Sequence, residues 1–269
     1  MQIRVKTKYL VEIITKFAKF ALMDVINDIF NLTDKQPAPV AGAVLVAKPT
    51  VDDLCFKRGV ILLVNHNAHD SMGLMVNYEA GYLLHEVIPG IDCEEEIPVY
   101  IGGPVDTERL FYIHTLGPDI IPRSREIAGG IYIGGDYDAV KAYVNSGATV
   151  DGKIKFLVGY SGWSAGQLDA EIRRHDWAVD LNPSRNIIMR YSGDEAWRKA
   201  VAHFGDRYRM WLNWPNSIIL NWRLLLLAVN NMIDNHSRNC HTENCRKAVI
   251  AGTASPQRLA VRLGTLSNR

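Results

Sequence analysis

Residues 59–77, GVILLVNHNAHDSMGLMVN, are the stretch that decides the fold. Two apolar runs, 59–64 and 72–77, flank a polar segment, 65–71, that is rich in Asn, His and Asp. Short apolar runs on either side of such a segment are typical of a β-hairpin. The sequence therefore predicts a pair of antiparallel strands here.

Outward from this hairpin, short apolar runs predict further strands, and three segments carry the three- and four-residue spacing of helices. The predicted strands are 43–47, 99–101, 110–115, 130–133 and 154–160, and the predicted helices are 136–146, 165–175 and 194–205. Strands and helices do not alternate strictly, which favours an α+β fold over a doubly wound sheet.

The two ends of the chain differ from this central part. Apolar residues at helical spacing predict an amphipathic helix over 9–30, and two prolines predict a linker at 34–39. Further on, a Leu-rich stretch predicts a helix near 218–233, followed by a basic, poorly ordered tail. The predicted parts of the chain are therefore 1–40, 41–215 and 216–269.

The 269 residues are 48% hydrophobic and 22% charged, which is ordinary for a globular protein and excludes collagen-like and wholly disordered chains. The net charge of +1 is unevenly spread: residues 41–211 hold 17 basic and 23 acidic side chains, whereas 212–269 hold seven and two. Neutralising several phosphates requires clustered Lys and Arg. Nucleic-acid binding is therefore disfavoured for the central part, and only the tail carries a basic excess.

The sequence predicts neither a secretory signal nor a transmembrane segment. Charged residues interrupt the N-terminal apolar segment, and the longest apolar stretch, 218–229, is broken by Asn221 and Arg223. It is shorter than the roughly 20 residues that cross a bilayer. Four cysteines in a chain of this length are typical of reduced thiols, so we expect a cytoplasmic protein.

The segment GYSGW at 159–163 is similar to the G-x-S-x-G pattern that exposes a nucleophilic serine on a cramped strand-to-helix turn. Trp163 stands where that pattern requires a second glycine, and His175 and His203 are the histidines nearby that follow Ser161. The favoured interpretation is a tight strand–helix connection, with Gly162 at the turn and Trp163 in the core. A hydrolase using Ser161 remains an alternative hypothesis.

A second glycine-rich turn lies at 102–104, Gly-Gly-Pro, and lacks the Lys and Ser/Thr of a phosphate-binding loop. We interpret this segment as a turn that simply reverses the chain, rather than as one whose backbone N–H groups bind an anion. Together with the Trp163 segment, this turn is the surface we predict to bind a partner. Its residues are Gly102, Gly103, Pro104, Ser161, Gly162, Trp163, Gly166 and Gln167.

Two groups of potential metal ligands occur in the sequence. His66, His69 and Asp70 share the hairpin loop, where solvated side chains are the favoured interpretation. The tail places two His and two Cys within ten residues, without the separated turns of a zinc site; they are His236, Cys240, His241 and Cys245. The acidic run 94–96 is interpreted as a solvated turn. We therefore predict no metal and no cofactor.

These segments occur in one order that resembles the AlgH/YqgE family of bacterial proteins. The matching segments are GAVLVAKP at 42–49, DSMGLMVN at 70–77, GGPV at 102–105, LFYIHT at 110–115 and GYSGWSAGQL at 159–168. The segment around Trp177 and the ending WLNWP at 211–215 are similar to the Bacteroidetes branch. The resemblance covers about residues 40–215, and the predicted N-terminal helix and the tail lie outside it.

The resemblance implies an α+β domain whose mostly antiparallel, bifurcated sheet forms a pseudo-barrel with flanking helices. Members are commonly described as transcriptional regulators, and the family has no established catalytic residues. Relatives frequently carry alanine at the position of Ser161. The leading hypothesis is a non-enzymatic binding or regulatory protein with a protein or small-molecule partner, and direct DNA binding is an alternative. No oligomeric state is predicted.

Overall fold

The predicted hairpin is confirmed as β2 (Val60–His66) and β3 (Asp70–Met75), which pair antiparallel. The computed structural model describes residues 36–51 and 53–214. The helices predicted at 9–30 and 218–233 and the His/Cys group of the tail lie outside these residues.

Ten strands form the sheet of the described residues, and all but one of their pairings are antiparallel. Besides β2 and β3, the strands are β1 (Val44–Ala47), β4 (Glu79–Leu83), β5 (Pro98–Ile101), β6 (Val105–His114), β7 (Arg125–Ala128), β8 (Ile131–Ile133), β9 (Ile154–Ser164) and β10 (Trp177–Asp180). In spatial order the main path is β10-β1-β2-β3-β9-β6-β8-β7. Strand β5 branches from β9 and pairs in turn with β4.

The sheet divides along β9, its longest strand. Residues 156–158 pair in parallel with β5, and residues 161–164 pair antiparallel with β3. The other partner of β9 is β6. Between the two halves Gly159 has φ +69°, a left-handed conformation that glycine adopts without steric cost. The predicted α+β fold with a bifurcated sheet is confirmed, and within the described residues the sheet does not close.

Helices cover the sheet, and the three predicted ones are confirmed within three residues at each end. They are α2 (Tyr137–Asn145), α3 (Gln167–Arg173) and α5 (Gly193–His203). Three shorter helices, α1 (Leu84–Val87), α4 (Arg185–Met189) and α6 (Arg209–Leu212), and the 3-10 turn Asp206–Tyr208 complete the described chain. Segments of four or five residues are too short to show helical periodicity.

Three apolar clusters hold the layers together. The first joins β1, β2 and β3 to α5 through residues such as Leu62 and Trp197. The second lies under α3 and includes Trp163 and Trp177, and the third packs Val140 of α2 against the sheet. None of the helices in residues 36–51 and 53–214 is long and apolar enough to cross a bilayer.

Candidate functional site

The turn at Gly102 and Gly103 passes directly over β9. The Gly102 N–H donates a 2.7 Å hydrogen bond to the Val158 carbonyl. A β-carbon at Gly102 would overlap the Gly159 carbonyl, and one at Gly103 would overlap the backbone of Tyr160. Both glycines are therefore required by close backbone approach, and the Gly102 N–H is not available to an anion.

Ser161 lies inside β9 and is fully buried. Its hydroxyl donates a 3.2 Å hydrogen bond to the Gly102 carbonyl, while His203 bonds to the Asn182 carbonyl. The interpretation that placed Gly162 at a turn is wrong, because β9 continues to Ser164. The surrounding strand pairs with β3 through residues 161–164, and this pairing holds the segment extended. A nucleophile elbow needs an exposed serine on a turn, so Ser161 does not have that geometry.

Trp163 is only 5% exposed and belongs to a carboxylate-centred cluster. Its indole nitrogen donates a 2.8 Å hydrogen bond to Oε2 of Glu171, and the indole nitrogen of Trp177 donates an equal bond to the same oxygen. The two rings meet edge to face, with centroids 6.2 Å apart. This cluster fixes α3 against β9 and β10.

Gly166 and Gln167 form the entry into α3. Gly166, at φ +69°, lets the chain turn from β9 into the helix. The Gln167 amide oxygen accepts bonds from the backbone and hydroxyl of Ser164, and its nitrogen donates to Oε1 of Glu171 at 3.0 Å. Of the eight predicted residues, Gly102, Gly103, Ser161 and Trp163 are buried, whereas Pro104, Gly162, Gly166 and Gln167 are exposed.

Gly162 lies beside a group of partly exposed apolar side chains on the face of β9 opposite Trp163. A β-carbon at Gly162 would lie 3.2 Å from the Tyr160 ring and 3.9 Å from Val105. Met72 is its register partner on β3, and Phe111 meets Tyr160 edge to face at 6.0 Å. We call this surface the Gly162 face; it consists of Met72, Val105, Phe111, Tyr160 and Gly162.

Charged residues lie on the strands that carry this face. The Arg109 guanidinium lies 5.0 Å from the centre of the Phe111 ring. Asp106 and Glu108 are exposed on the bulged part of β6, and Asp70 is paired with Ser164 at the end of β3. Three carboxylates and one guanidinium therefore lie on β3 and β6, the strands that also carry Met72, Val105 and Phe111.

The hairpin loop is held together by its own polar groups. Oδ1 of Asp70 accepts hydrogen bonds from the side-chain amides of Asn65 and Asn67, and His66 shares a 2.8 Å hydrogen bond with Ser71. Among the described residues no three His, Cys, Asp or Glu side chains are grouped so that they could hold a metal ion.

Two charged groups have structural roles that the sequence did not predict, and for Glu95 the interpretation of the run 94–96 as a solvated turn is wrong. Glu95 is not simply solvated, because its carboxylate accepts the backbone N–H groups of Val150 and Asp151. Lys155, buried at the start of β9, donates to the carbonyls of Val76 and Tyr191. Burial lowers the pKa of Lys155 from 10.5 to about 7, although nearby carboxylates partly oppose this.

The family of the chain follows from comparison with known proteins. A model of the AlgH-like family matches residues 44–209, which include the Gly102–Gly103 turn, the Trp163 cluster and the Gly162 face. The chain belongs to the AlgH-like family. This AlgH-like chain is 39% identical over 195 residues to a UPF0301 protein of Parabacteroides distasonis, covering 72% of this chain and 98% of that protein. It is 36% identical over 199 residues to one of Bacteroides fragilis, covering 74% and 100%.

Two solved structures share the fold of the AlgH-like chain. The solution structure of the AlgH protein from Pseudomonas aeruginosa has a TM-score of 0.53 and 27% identity, covering 69% of this chain and all of that one. A crystal structure of a protein from Corynebacterium diphtheriae has a TM-score of 0.56 and 22% identity, covering 68% and 96%.

Sequence reasoning about the AlgH-like chain missed Glu171 and the Gly162 face. Glu171 lies four residues after Gln167, a spacing that places both on one side of a helix and was the available signal. The pairing of Met72 with Gly162 depends on β3 lying beside β9, which no local pattern in the sequence indicates.

Proposed function

We propose that the AlgH-like domain is a non-enzymatic binding domain that docks a protein partner on the Gly162 face. The observation that carries the proposal is a row of apolar side chains that extends from the core to the surface. Val105 is 39% exposed, and the half-buried Met72, Phe111 and Tyr160 pack against the first core cluster. Exposed apolar patches with polar borders are typical of protein interaction sites.

The buried half of the predicted patch supports this face from below. Gly103 lies against the backbone of Tyr160, and Ser161 bonds to Gly102, so the turn and β9 form one rigid unit. A binding surface built on a rigid, hydrogen-bonded scaffold loses little conformational entropy when a partner binds. Gly162 itself adds no side chain, and a β-carbon there would already crowd the Tyr160 ring at 3.2 Å, so glycine keeps this part of the strand surface flat and accessible.

The charge around the face supports a partner with basic residues around an apolar contact. Asp70, Asp106 and Glu108 outnumber Arg109, and residues 41–211 carry six more acidic than basic side chains. Opposite charges at the edge of an interface increase the association rate and orient the partner. The acidic excess also disfavours direct DNA binding by the domain.

The described thiols, Cys55 and Cys93, are free. Free thiols support a reducing, cytoplasmic setting.

Site-specific photo-crosslinking in cells tests the proposal with the full-length chain. A photoreactive residue replaces Val105 in one variant and Ile120, which is 47% exposed, in a matched control. We expect one protein to crosslink at position 105 and not at position 120. After purification, that protein should bind the wild-type chain directly. Its affinity for Val105→Lys should be about tenfold lower than for the wild type, and its affinity for Ile120→Lys should be unchanged.

The same experiment has outcomes that overturn the proposal. Equal crosslinking at the two positions, or a partner whose affinity Val105→Lys leaves unchanged, removes the Gly162 face as the docking surface. Crosslinks to nucleic acid, or to a second copy of the chain, would show that the Gly162 face binds that molecule and not the proposed protein partner. Binding that is insensitive to salt would contradict the role given to the acidic border.

A further inference from the structure

A pocket of about 480 Å³ lies between the extended segment 36–39 and α3. The segment is fixed at its start, because the Gln36 amide accepts the Val179 N–H and donates to the Tyr208 hydroxyl, both at 3.1 Å. Pro37, Ala38 and Pro39 form one wall, and Ile172 is the apolar residue of the other. The volume lies within the range of pockets that bind small molecules.

Two opposite charges line this pocket one helical turn apart. Asp169 and Arg173 are both on α3, at positions whose β-carbons lie about 5–6 Å apart. In the described part of the chain, neither side chain makes an ion pair or a hydrogen bond. The neighbouring Arg174, by contrast, pairs with Asp176 at 2.9 Å. Among the described residues, the pocket therefore presents a carboxylate and a guanidinium without partners beside an apolar wall.

We propose that this pocket binds a free α-amino acid with an apolar side chain. Arg173 suits the ligand's carboxylate, because a guanidinium donates paired hydrogen bonds to it. Asp169 suits the ammonium group, and the spacing of one turn fits charges separated by one carbon atom. Ile172 and the two prolines contact the apolar side chain. The site lies on α3, on residues outside the Gly162 face, so it goes beyond the proposed docking function.

The positions of the two charges also suit the dipole of α3, with Asp169 in the first turn and Arg173 in the last. A purely structural role of this kind predicts a loss of stability in variants and no binding of ligand. Binding measurements with matched ligands separate the two roles, and thermal unfolding of each variant identifies any that fail to fold.

Calorimetric titration of the full chain tests the pocket with three probes: L-phenylalanine, phenethylamine, which lacks the carboxylate, and 3-phenylpropionate, which lacks the ammonium group. We expect L-phenylalanine to bind at least about tenfold more tightly than either analogue. Arg173→Gln should bind L-phenylalanine only as tightly as the wild type binds phenethylamine. Asp169→Asn should bind L-phenylalanine only as tightly as the wild type binds 3-phenylpropionate. The control variants Arg174→Gln and Asp138→Asn should bind as the wild type does.

Equal binding of all three probes, or no binding of L-phenylalanine at millimolar concentration, overturns the proposal. Unchanged affinity in both Asp169→Asn and Arg173→Gln overturns it as well. Val105→Lys is expected to bind L-phenylalanine normally, so failure of this site and failure of the Gly162 face are distinguishable.

Discussion

The carboxylate of Glu171 accepts a 2.8 Å hydrogen bond from the indole nitrogen of Trp163, which ties α3 to the central strand. The same oxygen accepts the indole N–H of Trp177. Glu171→Ala leaves two largely buried donors without an acceptor, and we expect it to lower the free energy of unfolding by about 2–4 kcal/mol. Urea unfolding of the purified chain measures this change.

Two further variants control for the loss of the carboxylate. Glu195→Ala removes an exposed carboxylate from α5 and should cost less than about 1 kcal/mol. The stability loss of Glu171→Gln should lie between those of Glu171→Ala and Glu195→Ala, because its amide nitrogen would face the donating nitrogen of Gln167. Equal stabilities of Glu171→Ala and Glu195→Ala would contradict the role of the cluster.

Gly103→Ala should destabilise the domain through steric overlap. Its β-carbon would overlap the backbone of Tyr160, which paired strands hold in place. We expect a loss of at least about 2 kcal/mol, larger than that of Gly129→Ala. Gly129, at φ +60°, lies in the left-handed helical region, and a β-carbon there meets nothing within 4 Å, so Gly129→Ala measures the cost of that backbone conformation without overlap, about 1–2 kcal/mol. Similar losses in the two variants would exclude overlap as the cause.

Lys155 should make stability rise with pH above neutrality. Burial lowers its pKa to about 7 in the folded chain, whereas the unfolded chain keeps the proton up to its ordinary value of 10.5. The unfolded state therefore binds more protons above about pH 7, and the folded state gains up to about 1.4 kcal/mol per pH unit. Lys155→Met lacks this gain, so the wild type should gain stability relative to the variant between about pH 7 and pH 9.5.

Tyrosine ionisation lowers the stability of both proteins at higher pH. Burial raises the pKa of Tyr100 to about 12, so above about pH 10 the unfolded state loses this proton first and stability falls. Denaturant unfolding of both proteins at intervals of half a pH unit measures the difference. A difference that stays constant up to about pH 9.5 would show that Lys155 keeps its ordinary pKa.

Asn77 should be among the most sensitive polar positions. Its fully buried side chain accepts the Val60 N–H and donates to the carbonyls of Arg58 and Gly193. Asn77→Ala should lower the unfolding free energy by about 3 kcal/mol or more, because two buried groups and one part-buried carbonyl lose their partner. Asn67→Ala removes a similar set of bonds from an exposed loop, where water replaces them, and should cost about 1 kcal/mol or less. Equal effects of the two variants would contradict this.

Ser161→Ala should have a small structural effect and no catalytic one. It removes one hydrogen bond to the Gly102 carbonyl, which still accepts the Met75 N–H at 2.8 Å. We expect a loss of about 1 kcal/mol and unchanged turnover of p-nitrophenyl esters, if any turnover occurs. Turnover by the wild type that this variant abolishes would revive the hydrolase hypothesis.

The central hairpin and the helices α2, α3 and α5 were predictable because their signals are local. An apolar run, a polar loop or a three- to four-residue spacing is complete within a few residues. The strand β4 was not predicted, because its five residues are mostly exposed and form one edge of the sheet. The predicted end of β9 at residue 160 was wrong, since pairing with β3 keeps 161–164 extended despite two glycines.

The sequence by itself determined the family, the α+β class and the positions of the glycines at 102, 103 and 162. The tertiary structure decided what those positions do. Because β9 pairs with β3, β5 and β6, residues far apart in sequence meet along it: Gly103 lies against Tyr160, and Met72 is paired with Gly162. The same packing buries Trp163 and exposes Gly162 on opposite faces of one strand, since successive side chains of a strand point in opposite directions.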